Sequence, residues 1–300
     1  MPESVHNEGI ATFGGSTQFQ QSAIGRGASV EVAGATDRAD DGIDVRPRCD
    51  VGIITILAVE ASAVRLALGL RSQRNGGLNF DLGEVDMEGP HPARLVATRT
   101  LNQGQRSTVI AFDHLRRHYD PKVVVLVGIG GGIHRRISIG DVVEATRVAY
   151  YDLRKEMPQQ TQRRGEEKEA PAAIGHAVNA FFTDHGEPAR LPIADPGGTS
   201  RTPKILNGLI GSGDAVIADG DSEIISYLSR FNDKILAVDM EAGGLSQACH
   251  EQSAISNHLQ GWMVIRGISD DAGPDKNDDH QAVAAWHAAV TLRRILPYLV

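Results

Sequence analysis

Cysteine is nearly absent from this 300-residue chain, which holds two, Cys49 and Cys249. They are far apart and form no CxxC or Cys/His grouping, so neither a disulfide framework nor a zinc site is expected, and no cofactor is implied. Long apolar runs are missing as well. No stretch approaches the roughly 18 residues of a membrane span. An excess of positive charge is also lacking: Lys and Arg number 30 against 38 Asp and Glu, a formal net charge of −8. Neither a nucleic-acid partner nor a membrane surface is therefore expected. The opening residues MPESVHNEGIATF contain no apolar signal region, which points to a cytoplasmic protein. The composition, 41% hydrophobic and 23% charged, is that of a globular chain able to bury a full core without staples.

The chain changes character near residue 50. Residues 1–49 are a Gly/Ser/Gln-rich run without helical periodicity, ending in the charged stretch DRADDGID, and read as a flexible N-terminal extension. Within it, TQFQQSAIGRGASVEV interleaves Gln and β-branched residues with Gly, a composition able to stack as cross-β. It resembles the short amyloid-type signalling motifs that precede effector domains in some bacterial immune proteins.

Residues 50–300 alternate buried strands with helices. VGIITIL (51–57), KVVVLVGIGGGI (122–133) and GWMVIRGIS (261–269) are continuous apolar runs, fit for strands buried on both faces. Helices are predicted over 59–70, 104–119, 171–186, 222–231, 241–253 and 280–300, and strands over 79–87, 93–100, 140–153, 204–218 and 235–240. Residues 155–171 are too polar for a core and read as an excursion or lid, and 189–203 as a loop. The pattern predicts one α/β domain, a three-layer α/β/α sandwich around a central mixed, mostly parallel sheet.

Ligands of such sheets bind beyond the carboxyl ends of the strands. Five strand ends carry a polar or glycine signal there: Glu60; Gly130, Gly131 and Gly132; Ser212-Gly213-Asp214; Asp239-Met240-Glu241; and Arg266, Ser269 and Asp270. Each has a plainer alternative when taken alone. Glu60 suits a solvent-facing first helical turn. Asp239 and Glu241 suit a helix N-terminus. Asp270 suits a turn, and the glycines suit a tight strand exit. The ordered set of five points instead to a single rim.

Taken in order, VGIITILAVEASAV, VVVLVGIGGGIHRRISIGDVVEATRVAYYD, IGSGDAVIAD, LAVDMEAGGLSQACHE and MVIRGISDDAG resemble the nucleoside phosphorylase superfamily, in particular the methylthioadenosine/S-adenosylhomocysteine nucleosidases. The resemblance covers residues 50–300 and implies a nucleoside phosphorylase-like fold and a catalytic domain. It implies roles position by position. Glu60 matches the acid that activates water, and Asp270 the aspartate that protonates the purine leaving group. Glu241 matches the grip on the ribose hydroxyls, and Met240 the side chain under the sugar. Ser269 and Arg266 match supports of the aspartate. Gly130 and Gly131 flank the nucleophile site, and Ile217 offers a backbone contact to the base.

The chemistry agrees with those roles. Cleaving a ribose N-glycosidic bond passes through an oxocarbenium-like state, so an acid at the leaving base and a carboxylate facing a water across the sugar are the groups required. Three departures from the family pattern stand out: Ile129 in place of a serine, Val216 in place of an aromatic that stacks on adenine, and Asp239 one methylene shorter than the usual glutamate. Arg65, Arg106, Arg135 and Arg136 are the cations available for a phosphate, but Glu60 occupies the hydrolase position.

The expected function is hydrolysis of a purine nucleoside, with adenine as base and methylthioadenosine or S-adenosylhomocysteine as substrate. The alternatives are an ATP or AMP nucleosidase acting as a defence effector, a phosphate-dependent purine nucleoside phosphorylase, and a binding module without activity. The family also implies a homo-oligomer.

Overall fold

The computed structural model describes residues 47–87, 91–220, 222–273 and 278–300. Most of the extension expected over 1–49, including its Gln-rich segment, lies outside the described residues. In chain order the elements are β1 (Val51–Thr55), α1 (Ala58–Leu68), β2 (Arg71–Asn75), β3 (Leu78–Val85), β4 (Ala93–Arg99), α2 (Gln105–Tyr119) and β5 (Val123–Gly132). There follow β6 (Val142–Tyr150), β7 (Arg154–Met157), β8 (Gln160–Arg163), β9 (Glu166–Glu169), α3 (Ala172–His185), β10 (Ala189–Arg190), β11 (Ile193–Ala194) and β12 (Ser200–Arg201). The chain closes with β13 (Lys204–Ser212), α4 (Glu223–Phe231), β14 (Ile235–Asp239), α5 (Ala242–Gln252), β15 (Gly261–Asp270) and α6 (Gln281–Leu299).

Two parallel blocks make up the sheet. β15, β5, β1 and β4 run parallel, with β3 and β2 added antiparallel at the edge. β6, β13 and β14 form the second parallel block. The blocks meet antiparallel at β15/β6 and at β14/β5, so β5, β15, β6, β13 and β14 close into a ring. β1 and β15 are buried at every position, which is why their sequences are continuous apolar runs rather than alternating ones. Helices α1, α3 and α6 pack on one side, and α2 and α5 on the other. The fold is thus the expected three-layer α/β/α sandwich around a mixed sheet.

Several stretches differ from the sequence reading in detail, among them the strand predicted over 204–218, which ends at Ser212. The strand predicted over 51–57 stops at Thr55, because Ile56 and Leu57 turn their N–H groups to the Glu60 carboxylate. The polar excursion at 155–171 contains the β7–β8 hairpin and β9, which pairs with β6. The 189–203 loop contains the two-residue strands β10, β11 and β12. β2 escaped prediction because RSQRN, exposed over most of its length, carries no apolar pattern.

Candidate active site

Glu60 sits at the N-terminal turn of α1, 2% exposed. Oε2 accepts the N–H groups of Ile56 and Leu57, both at 2.7 Å, and Oε1 accepts that of Ile129 at 2.8 Å. The bond from Leu57 is half of a capping box, which explains a carboxylate at this place in a helix. The solvent-facing alternative is thereby excluded. Burial pushes the Glu60 carboxyl above the ordinary carboxylate range, against the opposing pull of Arg266 and of these three amides. A rigidly held carboxylate with a raised pKa is a stronger base than an ordinary one. Gly128 underlies it: a Cβ there would strike both Glu60 Oε1 and Arg266 Nη1.

Beside Glu60, the ends of β14 and β15 build a buried charge network. Arg266 donates from Nε and Nη2 to Asp239 Oδ2 at 2.9 and 2.6 Å, and from Nη2 to Glu241 Oε2 at 3.0 Å. Asp239 Oδ1 accepts from the Ser212 hydroxyl at 2.6 Å and from the Ala242 N–H at 3.1 Å. Asp239 therefore does hold the start of α5, as the plainer reading had it, and pairs with Arg266 at the same time. Glu241 Oε1 accepts the Gly104 N–H at 2.9 Å. Burial, and then the Asp239 charge, raise the Glu241 carboxyl, with Arg266 opposing.

Asp270 ends β15. Its Oδ1 accepts the Ala272 N–H at 3.0 Å, a turn bond, and its Oδ2 accepts from the Ser269 hydroxyl at 2.9 Å. Gly131 faces it on β5, and a Cβ there would come within 3.0 Å of Asp270 Oδ1. Gly130 would likewise meet the Val238 carbonyl at 2.9 Å. The glycines thus let β14 and Asp270 approach β5 closely.

These groups surround a cleft of ≈ 250 Å³. Of the residues singled out in the sequence, Glu60, Gly130, Gly131, Val216, Ile217, Asp239, Met240, Glu241, Ser269 and Asp270 line it. Arg266, expected to support Asp270, lies behind them, fully buried, and bonds Asp239 and Glu241 instead, whereas Ser269 does reach Asp270. Ile129 lines the cleft as well, and Val216 is 55% exposed at its edge. The four arginines considered for a phosphate do not line it. Arg65 is exposed on α1, Arg106 faces a separate cleft, and Arg135 and Arg136 face another.

Sequence reasoning missed Gln103, Gly104, Gln105, Asp278 and Gln281. Gln103, Asp278 and Gln281 line the cleft. Gln105 donates from Nε2 to Ser212 Oγ at 3.0 Å and to the Gly213 carbonyl at 3.2 Å. A signal for Gln103 and Gly104 was present: LNQG follows β4, a strand parallel to β1, so its carboxyl end opens on the same rim. Among the described residues, no group of three or more His, Cys, Asp and Glu side chains is arranged to hold a metal ion.

A family model described as Phosphorylase superfamily matches residues 73–297. The chain is 29% identical over 277 residues to a 5'-methylthioadenosine/S-adenosylhomocysteine nucleosidase of Mycobacterium tuberculosis, covering 83% of this chain and 97% of that protein. Among solved structures, the nucleosidase of the same description from Neisseria meningitidis, in complex with methylthio-immucillin-A, superposes with a TM-score of 0.62 at 21% identity, covering 83% and 98% of the two chains. Futalosine hydrolase of Helicobacter pylori strain 26695 superposes equally well, with a TM-score of 0.62 at 16% identity and coverage of 83% and 97%.

Proposed function

The chain belongs to the phosphorylase superfamily, and from that premise we propose that it hydrolyses the N-glycosidic bond of a purine nucleoside, with adenine as base and methylthioadenosine or S-adenosylhomocysteine as substrate. The observation that carries this reading is the charge of the cleft. Glu60, Asp239, Glu241, Asp270 and Asp278 line it, while no Lys or Arg does so among the described residues. Arg266 is engaged with Asp239 and Glu241. Such a cleft stabilises a developing sugar cation and repels phosphate, whether as a nucleophile or as a 5′ substituent. Hydrolysis of a nucleoside without net charge is therefore favoured over phosphorolysis and over cleavage of ATP or AMP.

In this reading residues 50–300 are the catalytic domain and 1–49 an extension outside it. Glu60 takes a proton from water as the bond to the base breaks. Three backbone N–H groups fix its two oxygens in place, so little reorganisation accompanies the transfer. Asp270 delivers a proton to the departing purine, held by the Ser269 hydroxyl and the Ala272 amide. Glu241, steadied by Gly104 and Arg266, accepts the ribose hydroxyls, with Met240 under the sugar. Val216 and Ile217 form the wall against the base.

The protein works in the cytoplasm as a homo-oligomer. Two buried free thiols, Cys49 and Cys249, both pushed up in pKa by burial, fit a reducing compartment. Leu101 is 90% exposed, and Val109 and Ile110 on α2 are exposed as well, apolar side chains that a second copy would cover.

The test is chromatographic release of adenine from methylthioadenosine, S-adenosylhomocysteine, adenosine, AMP and ATP, with and without phosphate. Release from the thio-nucleosides, unaffected by phosphate, is expected. Release from nucleotides alone, or only with phosphate, overturns the reading.

A further inference from the structure

The Val216–Ile217 wall is held from outside the cleft. Asp152 stands where the chain leaves β6, at the root of the β7–β8 hairpin, with its side chain 8% exposed. Its Oδ2 accepts the backbone N–H of Asp214, two residues before Val216. Its Oδ1 lies 3.7 Å from Arg154 Nη1 and 3.5 Å from Arg163 Nη1, and these arginines are the first residue of β7 and the last of β8. Arg163 also reaches the Tyr151 carbonyl at 3.5 Å, and its buried Nε has no hydrogen-bond partner. Asp152 is thus the carboxylate that balances a guanidinium largely shielded from water.

Neighbouring contacts join the same segment to the cleft acids. The Tyr150 hydroxyl donates to Asp214 Oδ2 at 3.3 Å. Burial, and then the Asp214 and Asp152 charges, push this phenol up, which keeps it a donor. The Gly213 N–H donates to the Asp239 carbonyl at 3.1 Å. A Cβ at Gly213 would collide with the Tyr151 ring, which packs in one apolar cluster with Ile217, Val238 and Ala272. The stretch 213–217 is therefore anchored at its start, Gly213 to Asp239 and Asp214 to the hairpin root, and Ile217 packs in the cluster that holds Tyr151.

We propose that Asp152 is a positioning residue for the purine. It fixes the Asp214 backbone, and with it the Val216–Ile217 wall, while Arg154 and Arg163 hold its carboxylate, so that the β7–β8 hairpin sets affinity for the base. This inference rests on the reading of the cleft as a purine nucleoside site. A solvated ion pair at the foot of a hairpin would leave the cleft unaffected when removed. A carboxylate that bonds the wall's own backbone does not.

The experiment is calorimetric binding of adenine, with steady-state kinetics on methylthioadenosine, for wild type, Asp152→Ala, Asp152→Asn and Arg163→Met. Asp152→Ala should weaken adenine binding and raise KM by about tenfold, with kcat changed by less than about threefold. Asp152→Asn keeps an acceptor for the Asp214 N–H and should fall between alanine and wild type. Arg163→Met should shift binding in the same direction. Unchanged adenine affinity and KM in folded Asp152→Ala overturn the proposal, and so does a loss confined to kcat. If the alanine variant does not fold, wild-type affinity in both Asp152→Asn and Arg163→Met overturns it. Failure of the wild-type protein to bind adenine contradicts the purine reading itself, which separates the two failures.

Discussion

Arg266 Nη2 lies 2.6 Å from Asp239 Oδ2, and both side chains are 1% exposed. The same nitrogen reaches Glu241 Oε2 at 3.0 Å, so one planar guanidinium holds the ends of β14 and α5 together beneath the cleft. A compact ammonium offers no fork for two carboxylates. Arg266→Gln should destabilise the protein by about 3–5 kcal/mol, because two buried carboxylates lose their counter-charge. Arg266→Lys should lie between this variant and wild type. Thermal unfolding measures the effect, and an unchanged melting temperature in Arg266→Gln contradicts the assignment.

Gly104 precedes α2 with φ +100°, a region that side chains rarely adopt, and its N–H holds Glu241 Oε1 at 2.9 Å. A Cβ there meets nothing within 4 Å, so backbone strain rather than a clash opposes alanine. Gly104→Ala should cost about 1 kcal/mol or more of stability. It should also raise KM several-fold through the displaced Glu241. Equal KM in the two proteins would show that the Gly104 amide does not set the Glu241 position.

Glu144 on β6 is fully buried, neither carboxylate oxygen has a hydrogen-bond partner, and burial raises its pKa from the ordinary 4.5 to about 8. The folded protein therefore holds a proton that the unfolded chain releases above its lower pKa. Stability from this group is complete below pH 4.5 and falls as pH rises toward 8, by about 1.4 kcal/mol per pH unit within that window. Glu144→Gln, which cannot ionise, should melt progressively higher than wild type as pH is raised from 5 to about 8.5. Parallel melting curves across that range would contradict it.

The order of strands and helices was legible because the apolar runs are long and end in glycine, proline or polar residues. KVVVLVGIGGGI and GWMVIRGIS announce strands buried on both faces. The acids of the site were legible from their places after such strands. What stayed hidden depends on backbone atoms and on residues distant in sequence. Gly104 acts through an N–H that any residue carries, and its use becomes visible only when β4 is laid beside β1. Gln105 bridges Ser212 and Gly213 across a separation that no local pattern encodes. The β7–β8 hairpin has almost no apolar alternation, and its ladder is exposed along most of its length. Its bond from Asp152 to Asp214 likewise joins segments far apart in the chain.

The paired acids are the centre of the account, and the most direct measurement is adenine release from methylthioadenosine, in phosphate-free buffer, by wild type, Glu60→Gln and Asp270→Asn. Wild type should turn over, and each variant should be slower by about 10² or more, as loss of a general base or acid requires. Both variants should keep the wild-type melting profile closely enough to show that they are folded. Full activity in both folded variants would contradict the roles assigned to Glu60 and Asp270.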